Sequence, residues 1–111
     1  MQSIHLEAEA SSADLTEGDS YDAALVRISM RDQNGNVLPF CQEAVRLETE
    51  GPIRLIGPDI AMLRGGLGGT FVRTAGRSGN AVLTMTAPGA APIRLGFTIT
   101  VRQDGITEGG L

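Results

Sequence analysis

Apolar and polar positions alternate with period two along most of the chain, the signature of strands that bury one face and solvate the other. The clearest run sets Ala24, Val26, Ile28 and Met30 against Leu25, Arg27, Ser29 and Arg31. Val45, Leu47 and Thr49 alternate in the same way with Arg46, Glu48 and Glu50, and Ala81, Leu83 and Met85 with Val82, Thr84 and Thr86. The longest run places Ile93, Leu95, Phe97, Ile99 and Val101 against Arg94, Gly96, Thr98 and Thr100. Ile4 and Leu6 open the chain with a short strand, and further short strands are expected over 53–56, 61–64 and 70–74. Val37–Phe40 reads as a return strand, with Pro39 confining it to an edge or a bulge because proline donates no amide proton. The polar stretch from Ser11 to Ser20 reads as a connection. No segment spaces its apolar residues helically over ten or more positions.

The punctuation between these runs is glycine and proline. Asn34-Gly35 suits a tight primed turn, since both residues tolerate positive φ. Gly51-Pro52, Gly57-Pro58, the loop Gly65-Gly66-Leu67-Gly68-Gly69, Gly76 to Gly79, and Pro88 to Pro92 mark the other breaks. Short strands with turn signals every 8–12 residues or so predict an all-β, two-sheet antiparallel β-sandwich of about seven to eight strands, with a closed barrel as the alternative. Phe71 and Phe97 fall in strand patterns that suit the core. The antibody-type arrangement of two cysteines around a tryptophan is missing: Cys41 is alone and there is no Trp, so aliphatic packing must hold the core.

Length and charge narrow the functions. The 111 residues make one domain, expected over 1–103, with 104–111 as a tail, a linker or added residues. All nine basic residues are Arg and lie scattered, and the net charge is −4, which argues against nucleic acid as a partner. Without Lys there is neither a Walker-type phosphate loop nor a Schiff base. No apolar stretch approaches the roughly 20 residues of a membrane-spanning helix, and 1–9 lack the basic start and apolar run of a signal peptide.

Each constellation with chemical potential has a simpler structural reading. Glu48 and Glu50 share one strand face about 7 Å apart, a spacing open to paired-carboxylate hydrolysis, but that face is the solvated one. Asp32, Asn34 and Asn36 have the alternate-oxygen spacing of a calcium loop, yet Val37 stands where that loop needs glycine, and a hairpin explains the same residues. Gly65–Gly69 departs from the dinucleotide pattern at Phe71 and precedes a strand instead of a helix. His5 has no second His or nearby Cys to share a metal, and Cys41 reads as a small hydrophobe. Only Tyr21 and Phe40 are free to stack on a sugar, too few for a self-sufficient carbohydrate-binding module. No catalytic, cofactor-binding or metal-ligating residue is therefore expected.

Read together, Tyr21-Asp22-Ala23, the segment from Arg31 through Asp32-Gln33-Asn34-Gly35-Asn36-Val37-Leu38-Pro39 to Phe40, Glu48-Thr49-Glu50-Gly51-Pro52, Leu55-Ile56-Gly57-Pro58, Leu63-Arg64-Gly65-Gly66 and Val72-Arg73-Thr74 form a recognisable set. The chain from about Ile4 to Val101 resembles the C-terminal Ig-like domain of family 2 glycoside hydrolases, bacterial β-galactosidases in particular. The first turn also resembles invasin-type bacterial Ig-like repeats, which leaves a stalk or adhesin repeat as the alternative. In the hydrolase family the catalytic glutamates belong to a separate barrel domain, so none is carried over. The resemblance implies a noncatalytic accessory sandwich whose partners are the other domains or subunits of a parent glycosidase.

Overall fold

The alternating run around Val26 and Ile28 becomes the spine of the fold, because a ten-residue strand with one fully apolar face must be covered on that face along its whole length. The computed structural model describes residues 4–102 and contains nine strands. They are β1 (Ile4–Ala10), β2 (Asp14–Glu17), β3 (Ala23–Asp32), β4 (Ala44–Glu50), β5 (Ile53–Ile56), β6 (Ile60–Met62), β7 (Leu67–Thr74), β8 (Gly79–Thr86) and β9 (Ile93–Val101). Four form one sheet in the order β1-β3-β7-β5, and five form the other in the order β2-β9-β8-β4-β6. All pairings are antiparallel except β2 with β9, which run parallel from Asp14 opposite Thr98 to Glu17 opposite Val101. This is the immunoglobulin-like strand arrangement, with the amino-terminal segment crossing from one sheet to the other between β1 and β2. The expected tail, 104–111, lies outside the described residues.

The two inner faces make a single core. Leu6, Val26, Ile28, Met30 and Val72 from the four-stranded sheet meet Leu15, Val45, Leu47, Leu83, Met85, Phe97 and Ile99 from the other. Fully burying each such side chain contributes about 1.5–3 kcal/mol relative to exposure, so aliphatic packing suffices without a disulfide. Among the described residues no buried side-chain polar atom lacks a hydrogen-bond partner.

Five expectations change against this frame. The stretch from Ser11 to Ser20 contains β2, an extra strand that brings the total to nine. Leu15, its one large apolar residue, is 1% exposed, and a single apolar position cannot show a period, so the free edge of β9 supplies what the local pattern lacks. The return strand at 37–40 shrinks to one bridge, Arg31 to Val37, plus a bond from Leu38 N–H to Met30 O. Pro39 then ends the pairing. The hairpin is not a primed turn either, because among the described residues no non-glycine has positive φ. Gly35 (φ 84°) follows a turn closed by its own N–H to Asp32 O. Asp32 Oδ1 accepts from the amides of Asn34 and Asn36, so the carboxylate holds its own turn. The glycine-rich loop is shorter than expected: Gly65 and Gly66 turn, whereas Leu67, Gly68 and Gly69 already belong to β7.

Finally, Phe97 is core but Phe71 is not. β7 turns Thr70, Val72 and Thr74 inward and leaves Phe71 49% exposed. Both ends of the strand enforce this. Gly66 O accepts from Met30 N–H while its own N–H donates to Cys41 O. At the far end Thr74 N–H donates to Asp22 O, and Asp22 N–H donates back to the fully buried Thr74 Oγ1. With both ends tied, β7 cannot slip the one residue that would turn Phe71 inward.

Candidate functional site

The register of the four-stranded sheet sorts its outward side chains into rows. Leu25 on β3 lies opposite Phe71 on β7, which lies opposite Ile56 on β5. Three strands thus place one apolar residue each in a single line, with Ile56 42% exposed. The next row toward the β3 start holds Ala23, Arg73 and Arg54. On the other side Glu9, Arg27 and Gly69 form a row, followed by Glu7, Ser29 and the exposed Leu67. Gly69 carries no side chain because a Cβ there would stand 2.8 Å from Val26 O, and the gap separates Phe71 from Leu67 along β7. A shallow groove of about 760 Å³ opens beside it, lined by Glu7, Glu9, Arg27, Ser29, Arg31 and Leu67.

Charge on this face is uneven. Arg31 Nε lies 3.3 Å from Glu7 Oε1 and donates to Ser29 Oγ at 3.0 Å, while His5 Nε2 meets Glu7 Oε2 at 2.9 Å. That corner is internally paired. At the opposite corner Arg54 and Arg73 sit directly opposite each other, an arrangement that is destabilising for like charges. Arg73 is steadied by stacking 4.9 Å from the Tyr21 ring centre and by donating to Thr74 O at 3.2 Å. Arg54 has no ion pair or hydrogen bond from its side chain among the described residues.

The residues singled out in the sequence do not meet one another. Glu48 and Glu50 stand exposed on the outer face of the five-stranded sheet, opposite Thr84 and Val82. Asp32 is turned into its hairpin, and Asn34 and Asn36 are exposed beside it. His5 is on β1, an edge strand, bonded to Glu7, and Cys41 is a half-buried free thiol whose carbonyl anchors Gly66. Tyr21 and Phe40 are both exposed, the latter at 91%, but Tyr21 precedes β3 and Phe40 follows the hairpin beyond its other end. Most of a ten-residue strand, at roughly 3.3 Å per residue, separates them, so they cannot form one platform. Sequence reasoning missed the row Leu25, Phe71 and Ile56. Its signal was present as an apolar residue at a polar position of the Ala24–Met30 alternation, but the row forms only when three strands are paired.

Fold and surface together define an Ig-like β-sandwich with one polar outer face and one partly apolar, arginine-bearing one. No protein-family model matches the chain. A β-galactosidase of Rhizobium radiobacter is 32% identical over 95 residues, covering 86% of this chain and 68% of that one. A β-galactosidase of Rhizobium meliloti is 43% identical over 63 residues, 57% of this chain but only 8% of the relative. Among solved structures, a glycosyl hydrolase family 2 member from Bacteroides cellulosilyticus superposes with a TM-score of 0.81 at 15% identity, over 86% of this chain and 14% of that one. A β-glucuronidase of the same family gives 0.79 at 16% identity, over 91% of this chain and 12% of the other. The chain belongs to glycoside hydrolase family 2, as an accessory β-sandwich of the kind carried by its β-galactosidases. It spans less than a tenth of the Rhizobium meliloti relative.

Proposed function

We propose that the chain is a noncatalytic module of a β-galactosidase, serving to pack against other domains or to arrange subunits of the parent enzyme. The observation that carries this reading is its match, at 43% identity over 63 residues, to only 8% of the Rhizobium meliloti β-galactosidase. Support comes from the dispersal of its polar groups. Glu48 and Glu50 share the outer face of the five-stranded sheet with Thr84 and Arg94, and neither glutamate lines the hollow formed on that sheet by Ala44, Arg46, Ile60, Thr86, Ala87 and Pro88. Its contribution is then surface: a rigid sandwich with one side suited to contact. The isolated chain should leave a nitrophenyl galactoside intact, and detectable turnover that depends on Glu48 or Glu50 would overturn the reading. Deleting 4–102 from the complete reading frame should lower thermal stability or change subunit number, as followed by calorimetry and sedimentation.

A further inference from the structure

The outer face of the β1-β3-β7-β5 sheet combines three properties that no other surface of the described residues shares. Scattered exposed apolar side chains are ordinary on any protein, but Leu25, Phe71 and Ile56 are contiguous across three strands, with the exposed Leu67 on the same face beyond the gap at Gly69. Four outward arginines (27, 31, 54 and 73) against two outward glutamates (7 and 9) give this face a net charge of +2, in a chain whose total is −4. Phe, Tyr and Arg at one spot are the residue types that dominate the centres of protein interfaces.

Resting on the module reading above, we propose that this face docks onto a surface of the parent enzyme that is apolar at its centre and presents carboxylates to Arg54 and Arg73. The apolar row supplies the area. The opposed arginines supply the specificity: side by side they repel, Arg54 has no partner among the described residues, and a carboxylate bridging the pair would turn that repulsion into charge-assisted hydrogen bonds. A second copy of the same face is a poor occupant, since two-fold packing would bring the same positive face against itself. A sugar is a poor one too, because Arg73 already covers the Tyr21 ring.

The test uses thiol labelling in a Cys41→Ala background, with Phe71→Cys on this face and Thr98→Cys on the other, each in the 111-residue chain and in the complete polypeptide that its reading frame encodes. Labelling at 71 should be at least about tenfold slower in the complete polypeptide than in the isolated chain, with little change at 98, because the centre of a docked patch is closed to solvent. Adding Arg54→Glu should restore much of the lost rate at 71, whereas Arg94→Glu should not. Equal rates at 71 in the two chains overturn the proposal and leave the module reading standing. No effect of Arg54→Glu overturns the acidic partner. Protection at 71 that arises in the isolated chain and vanishes on dilution identifies a second copy and overturns it as well. A reading frame that encodes no other part of a glycosidase overturns the module reading, and this proposal with it.

Discussion

The two outer faces of the sandwich are built by the same rule and end up as different surfaces. On the five-stranded sheet the outward rows are Ile60, Arg46 and Thr86, then Glu48, Thr84 and Arg94, then Glu50, Val82 and Gly96, with Thr98, Thr100 and Thr16 beyond. Opposite charges there flank a threonine, and the exposed apolar residues Ile60 and Met62 are confined to the edge strand β6. On the four-stranded sheet the outward rows run through the middle of the sheet with Leu25, Phe71 and Ile56, and like charges face each other. Both inner faces bury apolar side chains in the shared core, so folding the sandwich does not require this difference. The docking proposed for this face would account for a feature that folding does not require and that costs some repulsion between Arg54 and Arg73.

The strongest way to break the comparison is through the core the two sheets share. Leu83→Ala on β8 and Ile28→Ala on β3, both at most 1% exposed, should each cost about 2–5 kcal/mol in urea unfolding. If one sheet were a loosely held layer, its substitution would fall well below that range. Next, Gly66→Ala attacks the turn that launches β7. Its φ of 79° strains a side chain, and a Cβ would collide with Leu38 O, so the loss should be at least about 1–3 kcal/mol. Thr74→Val loosens the other end by orphaning Asp22 N–H, which should cost about 1–3 kcal/mol, with faster hydrogen exchange across β7.

The smallest effects sharpen the comparison. Phe71→Ser in the isolated chain should shift unfolding by no more than about 0.5 kcal/mol, because half the ring is in water and the inner face of β7 is unchanged. Glu48→Gln on the polar face should also stay within about 0.5 kcal/mol. In the parent enzyme proposed above the two should diverge, Phe71→Ser lowering the melting temperature and Glu48→Gln leaving it and the turnover as they are. A complete enzyme indifferent to both would remove the distinction between the faces.

Much of this architecture could be read directly from the chain. β5 and β9 start and stop where alternation places them, and β3, β4 and β8 differ by only a residue or two, because each carries enough apolar residues to show a period of two. β2 was invisible for the opposite reason: Leu15 alone defines no period, and the strand exists through its pairing with β9. The direction of Phe71 was likewise out of reach. Thr70, Val72 and Thr74 against Phe71 and Arg73 is an alternation that fits either way up, and only the ties at Gly66 and Asp22 select one. The candidate surface was readable only as leftovers, since a row across strands has no spacing along the chain.

The parallel pairing of β2 with β9 has a mechanical consequence. Tension entering at Asp14 and leaving at Val101 would run in opposite directions along two strands lying side by side, loading their hydrogen bonds in shear. The bonds from Thr98 N–H to Ala13 O and from Arg102 N–H to Glu17 O bracket that seam, both at 2.8 Å. Shear strains such bonds together, whereas peeling a hairpin opens them singly, so resistance to pulling is governed by the whole seam and by the rate of its rupture. Pulled at Asp14 and Val101, the seam would act as a stiff link and not as a yielding one.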